Sequence, residues 1–584
     1  MFDIKKAISS EIVQVLSDRS DCESESIKPH VIRSVRRDFG DFQSNLALVL
    51  GKKNSQDPFR LAQEIIDLLQ NSDRTSAFTW QASSPGFLNA RLKRPILEAK
   101  LSEFACSFNY GQRSPTPEAD RVVIDYSGPN VAKSMHVGHL RSTIIGDCLC
   151  RVFQYLGANV IRQNHIGDWG TQFGMIIALL DQRGLRIEPS TTIEEITNYY
   201  QEANRLAKES IDFRNKSQQA VVALQNDEEK AKRVWQGIVD ISLENFDQIY
   251  RRLNVLLNLD DVRGESFYAF YIGDTISDLK SKNLCQIDKG ALVVPLTGFF
   301  NKEKEEISMV VQKADGASLY ATTDLAALRF RIEELRANRI IYVTDNRQKQ
   351  HFAMLFQVAD LAGWLKKSIL CQHVPFGSIL DDFGRPFQTR SGQVVDLTDL
   401  LNQAVKKARV LSTEHGKNLG EKELDLVSES LAIAALKYSD LSCDRGRDYR
   451  FSWQRMLSFE GDTGPYLLNA YVRIGSLLRK GGISDQNDFT APLHLKSDME
   501  QLLGIELLDF PSILNEVATT LKPHLLCNYL HRLATLFHSL YEKESILYCR
   551  DQEERQSKIF LITILRTVLK NGLEILGIKT VEQM

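Results

Sequence analysis

A strand–helix–strand run beginning at residue 121 narrows what this chain can fold into more than any other feature. The stretch RVVIDY (121–126) reads as a strand. HLRSTIIGDCLCRVFQYLG (139–157) has the length and period of a helix and stops at Gly157, and NVIRQNHIGD (159–168) returns to strand. Strands joined through a helix lie parallel in one sheet, with a right-handed crossover. The alternation resumes downstream, with RIIYVTD (339–345) as strand, QHFAMLFQVADLAGWL (350–365) as helix and CQHVPFGSIL (371–380) as strand. Between the two halves, at about residues 190–260, a charged helical stretch reads as an insertion whose polar side is most simply a solvated face.

The flanks differ in kind. In DPFRLAQEIIDLLQ, Asp57 is placed to cap a helix that Pro58 opens, and Leu61, Ile65, Leu68 and Leu69 mark an apolar face. The polar, proline-bearing GQRSPTPEAD (111–120) then makes a boundary. Beyond Asp396 strand signals fade and the periodicity is helical to the end, with Gly577 near a C-cap. The expected fold is multidomain, α/β plus all-α. An N-terminal α/β domain covers 1–112, and a Rossmann-type parallel-sheet domain covers 113–395 with the insertion at about 190–260. A helical region (396–455) and a C-terminal helical bundle (456–584) follow.

Composition sets limits. With 43% hydrophobic and 25% charged residues the chain is neither disordered nor fibrous. A net charge of −3 neither demands nor excludes nucleic acid, because a local basic face can hide in a neutral total. No apolar run approaches the ~18 residues of a membrane span. The nine cysteines are dispersed, and the nearest pair, Cys148 and Cys150, lacks zinc spacing. The expectation is a cytoplasmic protein with reduced thiols, no structural zinc and no membrane contact.

The stretch NVAKSMHVGHLRST (130–143) sets His136 and His139 three apart where the long helix begins. A metal would want a third ligand and, as a rule, i, i+4 spacing; no nearby Cys, His or Glu supplies one, so no metal site is expected. A structural pair is possible. Position favours a third reading. The loop leaving the first parallel strand is where such sheets bind ligands, and imidazole N–H groups beside a helix N-terminus suit phosphate oxygens. Lys133 and Arg141 would make the neighbourhood more positive.

HVGH resembles the HIGH signature of the class I aminoacyl-tRNA synthetases, and DYSGPNVAKSMHVGHLRSTIIGD is similar to that of the arginyl-tRNA synthetases in particular. FGDFQSNLA, PGFLN, IGDWGTQFG, GESFY, DGASLYATTDLAAL, FEGDTGPYLLNAY and the terminal LGIKTVEQM extend the resemblance, in order, over nearly the whole chain. What it implies is an arginine–tRNA ligase. Such an enzyme joins L-arginine to the α-phosphate of ATP, releasing pyrophosphate, and passes the arginyl group to the 3′ end of tRNA(Arg). The implied partners are L-arginine, ATP with Mg²⁺, and tRNA(Arg), and the working unit is a monomer. The alternative is a catalytically silent paralogue that only binds tRNA.

The resemblance also assigns residues. His136 and His139 would stabilise the phosphate in the transition state, with Val137 and Gly138 beside ATP. Asp125, Asn130, Tyr320, Asp324 and Gln348 would surround arginine. A pair of carboxylates is the physical answer to a planar cation, and Tyr320 and Asp324 are one helical turn apart. Asp324 could instead be an N-cap and Tyr320 core. The family's second signature, KMSKS, is replaced here by FQTRS, so Gln388, Thr389, Arg390 and Ser391 stand at the ATP loop without the usual lysine. Lys133, just upstream of HVGH, is the candidate replacement, and Arg390 the other. Trp169 reads as structural, with Gly167 and Asp168 shaping the ATP-side loop. In the N-terminal domain Phe87 could stack on a tRNA base and Asn89 meet a base edge, although PGFLN could equally be a turn. The 456–584 helices would bind the anticodon arm, with 396–455 against the stem.

Overall fold

The computed structural model describes residues 2–17, 29–34, 36–71, 76–107, 112–116, 119–301, 303–381, 383–387, 395–415, 419–483 and 493–584. They fall into two compact units. One contains Met1–Gln112, Ala470–Glu516 and Tyr529–Asn571, the other Arg113–Asn469, Val517–Asn528 and Gly572–Met584.

The larger unit is built on a four-stranded parallel sheet, in the spatial order Leu370–Phe376, Arg339–Asp345, Arg121–Asp125, Asn159–Gln163. Val123, Ile124, Ile340, Ile341 and Val343 have no exposed surface, as strands covered on both faces require. The chain leaves Arg121–Asp125 for a neighbour on one side and later returns to pair on the other. That reversal opens a crevice beyond the strands' carboxyl ends. The helix Val137–Tyr155 buries residues around nearly its whole circumference, among them Leu140, Ile144, Cys148 and Leu149. It lies close on the sheet because Gly146 has no side chain; a Cβ there would come within 2.3 Å of the Tyr126 side chain.

Three helices, Ile193–Glu209, Ile211–Gln225 and Glu229–Arg252, form the insertion. It is more than a solvated face. Ile196, Leu224, Ile238 and Val239 pack with Phe173, Ile176, Ile177 and Leu180 of the helix Thr171–Arg183 into one core. Trp169 joins that core, as its structural reading expected.

Two features depart from expectation. A three-stranded antiparallel sheet, Gln286–Asp288, Ala291–Val294 and Met309–Gln312, follows the helix Glu265–Ser281. Its first turn has Lys289 and Gly290 at φ +48° and +83°, the two left-handed positions of a tight hairpin. Strands also do not end before Asp396: Tyr449–Arg450 pairs parallel with Ile379–Leu380.

In the smaller unit an antiparallel sheet runs in the order Val31–Arg33, Phe42–Ser44, Phe87–Leu92, Phe78–Ser83. The helix Pro58–Asn71 buries Ala62, Ile65, Ile66 and Leu69, so the apolar face is turned slightly from the one read with Leu61 and Leu68. Among the described residues no helix is long and apolar enough to cross a membrane. The eight described cysteines are all free; burial pushes the Cys148 thiol up to about 12, which leaves it an inert packing residue.

Candidate active site

A cavity of about 670 Å³ opens at the carboxyl ends of the parallel strands, within the usual range for a small-molecule site. Asp125, Asn130, His136, Gly138, His139, Tyr320, Asp324 and Gln348 all line it, so the structure gathers most of the site read from sequence.

Two imidazoles belong to this lining. His136 is the N-cap of Val137–Tyr155, and its Nδ1 accepts the backbone N–H of Gly138 at 3.1 Å. The backbone N–H of His136 in turn donates to Nδ1 of His139 at 3.1 Å. The rings lie 4.0 Å apart, tilted by 31°. Burial, then the charge of neighbouring Lys133, lowers the His136 pKa; burial, then His136, pushes His139 down to about 3. Both rings are neutral at pH 7, and with each Nδ1 taken as an acceptor the proton belongs on Nε2. The helix start thus fixes two N–H donors. Gly138 has a structural reason as well, since a Cβ there would come within 2.8 Å of the His136 ring.

Carboxylates line the same cavity. Asp324 lies in the first turns of the helix Tyr320–Glu333, whose N-cap is Leu319, so Asp324 is not the cap. Its Oδ2 is 2.6 Å from Nε2 of His351. Tyr320 is 66% exposed, which sets aside its core reading. Asp125 is buried and accepts from Arg331, a fully buried guanidinium, at 2.8 Å. Asp125 therefore enters the cavity with its charge already balanced. Glu265 adds a third carboxylate: burial, then Asp168 and Asp324, push it up to about 7.

The loop between strand and helix is held from outside. Ser127 and Ala132 have left-handed φ of +72° and +66°. Ser127 Oγ meets Tyr250 Oη at 2.7 Å, and Ser242 Oγ accepts from the Ala132 N–H at 3.2 Å. Both partners come from the insertion helix Glu229–Arg252. Gly167 makes room for Asn130, whose Oδ1 lies 2.3 Å from where a Gly167 Cβ would be. Asp168 is tied to Ser266 through the N–H at 2.9 Å and Oγ at 2.6 Å.

Several expected residues lie elsewhere. Val137 is buried, its N–H donates to Val395 O at 2.9 Å, and it does not line the cavity. Lys133 does not line the cavity; its ammonium sits 4.4 Å over the Tyr200 ring, although its field reaches both histidines. Arg141 adds no free positive charge. It is buried against Asp440 at 3.1 Å and donates to Gly377 O and Arg447 O. Asn89, in the smaller unit, is 1% exposed, and its amide nitrogen donates to Gln81 O and Ser83 Oγ. It is thus tied within the sheet, while Phe87 is half-buried at the strand's start. Gln388, Thr389, Arg390 and Ser391 lie outside the described residues.

Glu265, His351 and Arg331 were not singled out from sequence. Glu265 sits in the quoted GESFY, and His351 follows Gln348 by three at the start of the same helical stretch. Arg331 gave no signal, because nothing in the sequence pairs it with Asp125.

A parallel-sheet cavity lined by a backbone-tied HxGH pair and by carboxylates fits a class I tRNA synthetase catalytic domain. Residues 106–453 match the family described as "tRNA synthetases class I (R), catalytic domain". Residues 3–92 match "Arginyl tRNA synthetase N terminal domain" and 467–584 the "DALR anticodon binding domain". Arginine–tRNA ligases of Haemophilus influenzae and Yersinia enterocolitica are 42% and 40% identical to this chain. Each alignment covers 95% of the chain, with 95% of the former relative and 96% of the latter. The arginyl-tRNA synthetase of Plasmodium falciparum superposes with a TM-score of 0.84 at 31% identity, over 100% of this chain and 99% of that one. The chain belongs to the arginyl-tRNA synthetases.

Proposed function

We propose that arginine and ATP meet in the cavity beyond the parallel strands, with the phosphates toward His136 and His139 and the guanidinium toward Tyr320, Asp324 and Glu265. The reaction is that of an arginine–tRNA ligase: the arginine carboxylate attacks the α-phosphorus of ATP, the bond to pyrophosphate breaks, and the arginyl group passes to the 3′-terminal hydroxyl of tRNA. ATP arrives with Mg²⁺, which offsets part of the triphosphate charge.

The observation that carries this reading is the pairing of opposite chemistries in one cavity. Two neutral imidazoles whose δ nitrogens are occupied present Nε2–H groups, which need no reorganisation as charge develops on phosphate oxygens. In the same cavity Asp324 and Glu265 suit a cation, and Asn130 and Gln348 bring neutral hydrogen-bonding groups. Asp125, balanced by Arg331, orients the polar amino-acid end. Lys133 leaves Tyr200 to meet the outgoing pyrophosphate, with Gln388, Thr389, Arg390 and Ser391 as the loop that shares the task. A site built to bond a guanidinium rejects analogues lacking it by about 10⁴–10⁵, so no editing is needed.

The domain reading follows the same division. Residues 1–112, through Phe87, contact the outer part of tRNA, 396–455 the stem and 456–584 the anticodon arm. In this reading the working unit is a monomer. The free thiols support a cytoplasmic setting. The test is pyrophosphate exchange with each of the twenty amino acids, with and without tRNA. Arginine alone should support exchange; exchange with another amino acid but not arginine would overturn the pocket assignment.

A further inference from the structure

Tyr320 and Asp324 stand one turn apart on their helix, and one side chain from the next helix, His351 of Lys349–Leu361, touches both. Its Nε2 lies 2.6 Å from Asp324 Oδ2, and its ring centroid is 5.2 Å from that of Tyr320. The ring is itself braced: Phe352 meets it edge-on at 5.3 Å and stacks on His373 at 4.8 Å. His351 is largely buried, while Tyr320 is not.

A carboxylate at the edge of a cavity can turn about its side-chain bonds, whereas a guanidinium bonds best to two oxygens held in its own plane. One N–H fixed on Oδ2 sets that plane. It leaves Oδ1, and a lone pair of Oδ2, presented in one direction. A ring against Tyr320 limits where the phenol can swing.

We propose that His351 is a positioning residue for arginine. With Nε2 protonated it donates to Asp324 Oδ2, fixes the carboxylate plane and holds Tyr320 beside it. The guanidinium then meets a preformed fork and spends less of its binding energy on ordering the site. His351 touches none of the reacting atoms. This inference rests on the reading that Asp324 and Tyr320 meet the guanidinium.

The consequence is a separation of constants. A bond made equally in the ground and transition states moves KM and leaves kcat. His351→Leu should raise the arginine KM in pyrophosphate exchange roughly tenfold, the scale of one hydrogen bond to a charged group. The ATP KM and the kcat at saturating arginine should stay within about twofold. His351→Gln, whose amide nitrogen can replace the ε donor, should recover an arginine KM within about threefold of the native enzyme. In the Asp324→Asn background, His351→Leu should add little, because the carboxylate it positions is gone.

If His351→Leu lowers kcat with KM unchanged, if the glutamine variant is no better than leucine, or if the two losses multiply, His351 does not act through Asp324. The underlying reading fails separately. Asp324→Asn leaving the arginine KM unchanged removes Asp324 from the pocket. Asp324→Asn raising it while His351→Leu does not removes only the role of His351.

Discussion

Glu265 should make arginine binding depend on pH between pH 6 and pH 8. Its carboxyl titrates near 7 because it is buried and because Asp168 and Asp324 repel its charge. A docked guanidinium reverses that balance, favouring the carboxylate and drawing the pKa back toward the ordinary range of about 4.3. Below pH 7 the proton must therefore leave when arginine binds, and apparent affinity falls as pH falls. If only the ionised form binds, KM scales as one plus the protonated-to-ionised ratio. That factor is about 1.1 at pH 8, about 2 at pH 7 and about 11 at pH 6, so the arginine KM should rise about tenfold from pH 8 to pH 6. His139, near 3, and His373, near 4, stay neutral throughout, and the substrate guanidinium keeps its charge. The assay is arginine titration in pyrophosphate exchange at saturating ATP, in steps from pH 6 to pH 8. Glu265→Gln should flatten the profile. Asp324→Asn, which removes one repelling charge, should move the inflection to lower pH. A flat native profile, or a slope that survives Glu265→Gln, would refute the reasoning.

Lys133→Ala should lower kcat for adenylate formation by about 10²–10³, the cost of losing one preorganised transition-state partner, with little change in arginine affinity; near-normal single-turnover activation would assign the role to Arg390. Gly138→Ala pushes a methyl group against the His136 ring that caps the helix, so activation should fall at least tenfold and stability by about 1 kcal/mol, read by single-turnover kinetics and thermal unfolding. Gly577 has φ +70°, and a Cβ there would lie 2.2 Å from the ammonium of Lys437, which is fully buried and donates to Leu253 O and Gly577 O. Gly577→Ala should therefore cost about 2–4 kcal/mol in denaturant unfolding, from left-handed strain and disrupted buried hydrogen bonds.

The sequence was most legible where a local pattern and a local structure coincide. The βαβ unit rests on apolar periods and a glycine stop, and His136, Gly138 and His139 form their site within four residues of chain. Asp324 and Tyr320 were legible because one helical turn brings them together. What escaped needs distant partners. Arg331 neutralises Asp125 across 206 positions, and Tyr250 holds Ser127 across 123. Neither pairing leaves a trace in spacing. Arg141 shows the opposite error: a cation two residues beyond HVGH looked like part of an anion site, yet Asp440 buries its charge. The hairpin at Lys289–Gly290 did carry a signal, since a glycine between two short β-prone runs marks a tight turn.

The most direct measurement is transfer of radiolabelled arginine to total tRNA, made with the native chain and with His136→Ala. The native chain should charge tRNA with arginine in an ATP-dependent reaction that releases one pyrophosphate per arginyl group, and the variant should still bind tRNA while charging it about 10²–10³-fold more slowly. A native chain that binds tRNA and transfers no arginine would contradict the assignment and leave a silent tRNA-binding paralogue in its place.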